Sequence, residues 1–419
     1  MVILAGLSAP SLRAETPASD TEAKLEALQK QIEALQAEVA ETRRQMEAAK
    51  ASPAATPAAE PAPAPAGAPA AAPEEGGKGF LGSTKITGHV DGFYTYNFNH
   101  PRSRVTDFRT FDSASNQFSL NLMKLQFEKT PEVNNSRLGY RLSFGYGEAM
   151  NVVNGTDPAG LGFSQYLYEA YFSYLAPVGA NGLMVDFGKF VTPHGAELID
   201  SHENWNYSRG ILFGYAIPFY HFGLRSTYAF NDKVSVTGYL VNGWNSIVDN
   251  NTGKTVGVSL GLQPHSKVRL TTSYMAGPEQ EDMNRGWRQL SDSVLTINAT
   301  DKLAFMFNYD YGTERFADLN AVTKWQGLAS YVRYAFNDDY AVAARYEWYN
   351  DPEGFTTGMR QQLKGFTGTF ERRIAKKLIT RLEFRHDYSN EPAFTKGDLP
   401  HNKQTTVAAG LMYAFDMGE

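Results

Sequence analysis

The chain contains no cysteine, which removes disulfides, thiolate metal sites and cysteine nucleophiles and makes it easy to keep in an oxidising compartment. It has no run of about eighteen or more apolar residues, which excludes a membrane protein built as a helical bundle. Basic charge is not in excess: 39 Lys and Arg against 45 Asp and Glu give a net charge of -6, which argues against a nucleic-acid partner. A mean hydropathy of -0.39 would ordinarily describe a soluble chain. What is abundant disagrees. The 419 residues include 23 Tyr, 26 Phe and 5 Trp alongside 37 Gly, a mixture suited to many strands joined by tight turns. The length allows two or three domains, or one large barrel that absorbs most of it.

Four regions follow from composition and period. Residues 1–14 carry a short apolar stretch, Val2 to Leu7, then small residues ending at Ala14, the pattern of a signal-peptide remnant without its basic start. From Thr21 to Lys50 apolar residues recur at spacings of three and four: Leu25, Ile32, Val39 and Met46 take the a positions and Leu28 and Leu35 the d positions, with Thr21 and Thr42 completing the d row. So narrow a seam, flanked by Glu, Gln, Lys and Arg, predicts a coiled-coil helix over 21–50. Residues 51–79 alternate Pro and Ala and end near Glu74-Glu75-Gly76-Gly77; with nothing to bury, they read as a semi-rigid linker of about 3.1 Å per residue.

From Ser83 to Phe415 the period is two. About sixteen segments begin near Ser83, Asn116, Arg137, Gln165, Leu183, Phe219, Val234, Thr255, Val268, Arg288, Leu303, Gln326, Tyr340, Gln362, Leu378 and Gln404. In Leu303 to Tyr311 odd positions are apolar or aromatic, while Asn308 and Asp310 are even; Leu382, Phe384 and Tyr388 likewise oppose Arg381, Glu383, Arg385 and Asp387. Short turns such as Asn231-Asp-Lys233 and Thr300-Asp-Lys302 follow even segments. Long polar stretches follow odd ones, including Asn245–Lys254, Gly277–Trp287, Glu314–Trp325 and Asn390–Lys403. That asymmetry belongs to an outer-membrane barrel. Tyr228-Ala-Phe230, Tyr334-Ala-Phe336 and Tyr413-Ala-Phe415 close even segments with aromatics, the composition of an interfacial girdle. A soluble all-β protein must fill its interior with apolar side chains. Here the charged row of Arg141, Glu169, Arg225, Arg333, Arg345, Glu347, Arg381 and Glu383 needs water, so the apolar face is expected outside. The predicted fold is an all-β membrane protein: a closed antiparallel transmembrane β-barrel over 83–415, preceded by the helix and the linker.

The stretches Gly188-Lys-Phe-Val-Thr-Pro-His-Gly-Ala-Glu197, Asn204-Trp-Asn-Tyr-Ser-Arg209 and Tyr215-Ala-Ile-Pro-Phe-Tyr-His-Phe-Gly-Leu-Arg225 resemble a signature of the OmpL-like β-barrel porins of Gram-negative bacteria. The resemblance extends over Ser83–Phe415, outside these motifs mostly as shared pattern. It implies a porin of the bacterial outer membrane for passive diffusion of small hydrophilic solutes or ions, and it names no substrate. In one respect the chain departs: many such barrels end at the terminal aromatic residue used as an assembly signal, whereas Asp416 to Glu419 follow Phe415.

In sixteen-stranded porins the loop after the fifth strand often folds inward and narrows the channel, which here implicates Thr192–Pro218. Glu197, Asp200 and Glu203 on that loop, facing Arg141, Arg225, Arg345 and Arg385 on the wall, would form a pore constriction with a transverse field. Local ion-pair ladders, with Glu347 beside Arg345 and Glu383 and Asp387 around Arg385, are the competing reading and can coexist with it. No cofactor, bound metal or catalytic residue is expected. His194, His202 and Glu203 lie close in sequence without a helical HExxH spacing or a nucleophile, which leaves a barrel-embedded hydrolase as the weaker alternative. A structural tether, with the coiled coil contacting a periplasmic cell-wall layer, is the other. Expected partners are outer-membrane lipid, the solutes, and two further copies in a homotrimer, with the N-terminal segment in the periplasm and the coiled coil too short to choose the number by itself.

Overall fold

The computed structural model describes residues 83–417. The expected signal-peptide remnant (1–14), coiled-coil helix (21–50) and linker (51–79) lie outside the described residues. The strands are β1 (Lys85–Asn97), β2 (Phe118–Lys129), β3 (Leu138–Tyr146), β4 (Leu167–Ala176), β5 (Leu183–Val191), β6 (Tyr220–Asn231), β7 (Val234–Val241), β8 (Thr255–His265) and β9 (Val268–Gln280). They continue as β10 (Met283–Asn298), β11 (Leu303–Phe316), β12 (Ala321–Ala335), β13 (Tyr340–Asp351), β14 (Gln361–Ile374), β15 (Leu378–Ser389), β16 (Phe394–Lys396), β17 (Leu399–His401) and β18 (Lys403–Asp416). Three short helices sit in connections: α1 (Glu148–Asn154), α2 (Leu161–Ser164) and α3 (Ile211–Tyr215).

Sixteen of the strands close an antiparallel barrel in which β1 to β15 pair in sequence order and β18 joins β15 to β1. The closing ladder runs from Thr87 opposite Asp416 to Asn97 opposite Thr406, so no open edge is left to pair with another chain. β16 and β17 form a separate hairpin within the connection after β15.

Burial along the strands is the reverse of that in a soluble protein. On β15, Leu382 is 57% and Phe384 45% exposed, whereas Arg381 and Glu383, on the opposite face, are each 2% exposed. β14 repeats this, with Phe366 and Phe370 exposed and Thr367, Thr369 and Glu371 buried. Side chains alternate across a strand, so one face of each strand is an apolar sheath and the other lines the interior. No helix among the described residues is long and apolar enough to cross a membrane. The aromatic repeats sit at the short-turn end, where the Tyr228–Phe230 and Tyr334–Phe336 rings meet edge-on at 4.9 and 5.2 Å.

Long and short connections alternate as expected at 98–117, 147–166, 192–219, 242–254, 352–360 and 390–402. Two expected loops are corrected. Gly277–Trp287 and Glu314–Trp325 are mostly strand, with Trp287 paired to Pro278 and Arg315 to Val322. Consequently β10 begins at Met283 and β12 at Ala321, ahead of the expected starts at Arg288 and Gln326. Beyond the membrane both faces of a hairpin meet water, so apolar alternation fades while the backbone ladder continues.

The lipid-facing assignment is tested at Phe384. Phe384→Arg should lower the folding free energy in lipid vesicles by about 2–4 kcal/mol if the position is near the bilayer midplane, measured by reversible denaturant titration, while Phe384→Leu should change it little. Equal stability of the Arg variant would put this face away from hydrocarbon.

Candidate functional site: the inward loop and its cradle

The connection 192–219 runs inside the barrel, and the residues that hold it come from strands far apart in sequence. Its first half crosses toward β1 and β2. Glu197 accepts from Arg345 on β13 at 2.6 Å and from the backbone N–H of Gly210 at 2.5 Å. Asp200 receives the Lys124 ammonium of β2 on both oxygens, at 2.9 and 3.0 Å, and the Tyr168 hydroxyl of β4 on Oδ2. Ser201 donates to Asp91 on β1 at 2.5 Å. Asp91 lies at a register shift between β1 and β2, and such bulges re-aim side chains.

The second half contains Asn204–Arg209, one of the stretches that carry the resemblance. Arg381 on β15 donates to the carbonyls of Ser201, Asn204 and Asn206, while its other partner is Glu371 at 2.7 Å. Glu383 accepts the backbone N–H groups of Tyr207, at 2.7 Å, and Ser208, at 3.1 Å. Arg345 and Arg385 donate to the carbonyls of Ser208 and Arg209 at 2.6 and 2.8 Å. The wall thus reads the loop chiefly through its backbone. The Tyr207 ring also needs a gap in the wall: a Cβ added at Gly410 on β18 would lie 2.4 Å from it, while the Tyr207 hydroxyl donates to Asp91 at 2.9 Å.

Apolar packing adds the driving force. Ile211, Leu212 and Phe213 of α3 are buried with Phe111 from connection 98–117 and with Met150 and Val153 of α1, each such side chain contributing roughly 1.5–3 kcal/mol. That helps offset the entropy of ordering a long loop.

The expected wall arginines separate into two groups. Arg345 and Arg385 are 1% exposed and lie behind the loop, ion-paired at 2.8 Å to Glu347 and Asp387 respectively. Arg141 pairs with Glu128 at 2.6 Å and lies 3.5 Å from Glu169; it stays partly exposed, and Arg225 pairs with Asp186 at 2.8 Å. The ion-pair ladders are therefore present. The expectation that the charged row faces water is corrected: Glu347, Arg381 and Glu383 are buried, because loop peptide groups and opposite charges replace water as their partners.

Open space lies on the other side of the loop. A cavity of about 300 Å³ is lined by Lys124, Gln126, Arg141, Glu169, Asp200 and Glu203 among others. A second, of about 410 Å³, is lined by His89, Lys124, Gln126, Glu128, His202 and Glu203. Lys124, Gln126 and Glu203 belong to both. Burial raises the Glu203 carboxyl, and the charge of Asp200 raises it further. Asp200 is itself held below the usual carboxylate range, since Lys124, His89 and Tyr168 outweigh the effect of burial. Glu197 is raised by burial against the pull of Arg345.

Sequence reasoning missed Asp91, Lys124 and His89. The signal was there: Lys124, Gln126 and Glu128 alternate with Met123, Leu125 and Phe127, and His89 and Asp91 flank Val90. Arg109 and Asp112, which pair at 2.6 Å inside the barrel, come from a connection with no such period and had none.

The family described as "Putative beta-barrel porin-2, OmpL-like" matches residues 83–415. Among solved structures, an anion-selective porin from Comamonas acidovorans superimposes with a TM-score of 0.54 at 10% identity, covering 80% of this chain and 99% of that one. The outer membrane channel DcaP of Acinetobacter baumannii gives 0.51 at 12% identity, covering 79% and 97%. The trimer form of OmpT, an outer membrane protein of Vibrio cholerae, gives 0.53 at 12% identity, covering 79% and 99%. No curated protein matches the sequence. At these identities the structural likeness is one of fold.

Removing Arg345 tests the cradle. Arg345→Met leaves Glu197 and Glu347 buried without their shared cation, at a cost of about 3–5 kcal/mol, and the loop rather than the barrel should yield. Limited proteolysis should then cut within 192–219 while the barrel keeps its heat-resistant mobility on gels. A loop as resistant as in the wild type would mean that its position does not depend on this cation.

Proposed function

The chain belongs to the OmpL-like family of β-barrel porins, and from that premise we propose that this outer-membrane porin passes small hydrophilic solutes or ions between the inward loop and the wall formed by β18 and β1–β4. The observation that carries this reading is the pair of cavities sharing Lys124, Gln126 and Glu203, while Arg345 and Arg385 are buried in ion pairs on the opposite wall. In this reading 192–219 narrows the passage. Asp200 and Glu203 on the loop face Lys124 and Arg141 on the wall, a transverse arrangement that selects by charge as well as size. Arg345, Arg385 and Glu197 anchor the loop, and Arg225 is held by Asp186. The porin needs no catalytic group, and none is assigned; His202 and Glu203 are given to the passage and not to hydrolysis.

Both barrel ends lie on the short-turn side, which we assign to the periplasm together with the N-terminal segment. Three barrels would bring three short helices together at high local concentration, and a trimer form among solved structures of this fold supports three copies. A cell-wall contact by the same segment is compatible with transport.

Planar-bilayer recording tests the passage. The protein should conduct, and deletion within 192–219 should raise its conductance. Because the Glu203 carboxyl is raised, acidification should neutralise it at a pH above the ordinary glutamate value of about 4.3. Cation preference then falls as pH falls through that midpoint. Glu203→Gln should show the low-pH reversal potential throughout; a pH step unchanged in that variant would assign the charge elsewhere.

Oligomeric state is a separate test. Crosslinking in mild detergent should give trimers, and trimers should persist after removal of residues 1–79 if the barrels supply the interface. A monomer or dimer as the largest species would refute the assembly.

A further inference from the structure

Where the two cavities meet, three potential ligands converge from two parts of the chain. His89 projects inward from β1, while Asp200 and His202 come from the inward loop. One ligand atom from each lies within 4.8 Å of the others. Nε2 of His89 is 3.5 Å from Oδ1 of Asp200, close to the roughly 3.4 Å edge of a tetrahedron with metal–ligand bonds near 2.1 Å. The imidazole rings of His89 and His202 have centroids 4.4 Å apart.

Hydrogen bonding leaves the right atoms over. His89 is 2% exposed, yet its Nε2 has no hydrogen-bond partner, and neither has Nδ1 of His202. Buried polar atoms are ordinarily satisfied, so two unsatisfied imidazole nitrogens beside one carboxylate point to a ligand. Tyr168 donates to Oδ2 of Asp200 and so orients the carboxylate with Oδ1 toward His89, the part an outer partner plays around a metal-binding carboxylate. Lys124, bonded to both Asp200 oxygens, is the cation a metal would have to displace from Oδ1. Glu203, 3.8 Å from His202, lines both cavities beside the cluster.

We propose that His89, Asp200 and His202 form a binding site for a divalent transition-metal ion, such as Zn²⁺, at the narrow part of the passage. Two imidazoles and a carboxylate suit Zn²⁺ and its neighbours better than Mg²⁺ or Ca²⁺, which prefer oxygen ligands throughout. A bound ion adds two positive charges where Asp200 and Glu203 otherwise set the field. It therefore lowers conductance and shifts selectivity toward anions. This consequence rests on the proposed passage; the binding does not.

The test uses the full chain without a polyhistidine tag, in detergent at pH 7.5, with Zn²⁺ as the probe. Equilibrium dialysis with metal analysis should give one ion per chain at micromolar free Zn²⁺. His89→Gln and His202→Gln should each weaken binding at least tenfold while retaining the heat-resistant barrel, and Lys124→Met should tighten it severalfold by removing the competing cation. In bilayers, micromolar Zn²⁺ should reduce wild-type conductance and spare His89→Gln. No stoichiometric binding, or binding unchanged in both histidine variants, overturns the site. Stoichiometric binding with conductance unaffected overturns its position in the passage, and binding by a protein that does not conduct at all overturns the passage alone.

Discussion

Charged side chains inside a barrel wall must find partners, and in this protein much of the partnership is supplied by a peptide. Arg345, Arg381, Glu383 and Arg385 are buried, and each bonds backbone groups of the loop between β5 and β6. Removing such charges from water costs several kcal/mol apiece, which only well-directed bonds recover. The arrangement is mutual. Without the loop, that part of the wall would present unpaired ions to the lumen; without the wall, the loop would carry unsatisfied carbonyls and amides into an enclosed space.

Apolar burial and directional bonding divide the task. Ile211, Leu212 and Phe213 gain from leaving water wherever they pack, so they favour insertion without specifying its register. The register comes from Arg381 reading three carbonyls and Glu383 reading two N–H groups, because a shift of one residue would misplace them all. A small inward residue completes the fit: Gly410 on β18 leaves room for the Tyr207 ring. The second half of the loop is held by β13–β15 and β18, and cavities remain beside its first half, one along β1, β2 and β18 and one along β2–β4.

Most strand positions were legible because lipid on one face and a polar interior on the other impose a period of two along each strand. Leu382 and Phe384 opposite Arg381 and Glu383 needed no tertiary information to assign. The hairpin ends near Trp287 and Val322 were not legible, since water on both faces erases the period. Within the site, Glu197, Asp200 and Glu203 were picked out by the resemblance to sixteen-stranded porins, which implies an inward loop after the fifth strand, together with their charge. The division of the arginines was not: Arg141 and Arg345 occupy equivalent inward positions on their strands, and nothing local distinguishes a partly exposed cation from one sealed behind a loop.

The sequence by itself determined the β-barrel, its approximate strand starts, and the inside and outside of each strand. These depend on local alternation and on the contrast between lipid and water, which each segment experiences independently. Only the tertiary structure decided that the charged row is bound by the loop rather than bathed in water, that the cavities lie against β18, β1 and β2–β4, and that His89 meets Asp200 and His202. Those outcomes depend on which distant groups approach within hydrogen-bonding range, and closure of the barrel brings them together in a way that no local pattern encodes.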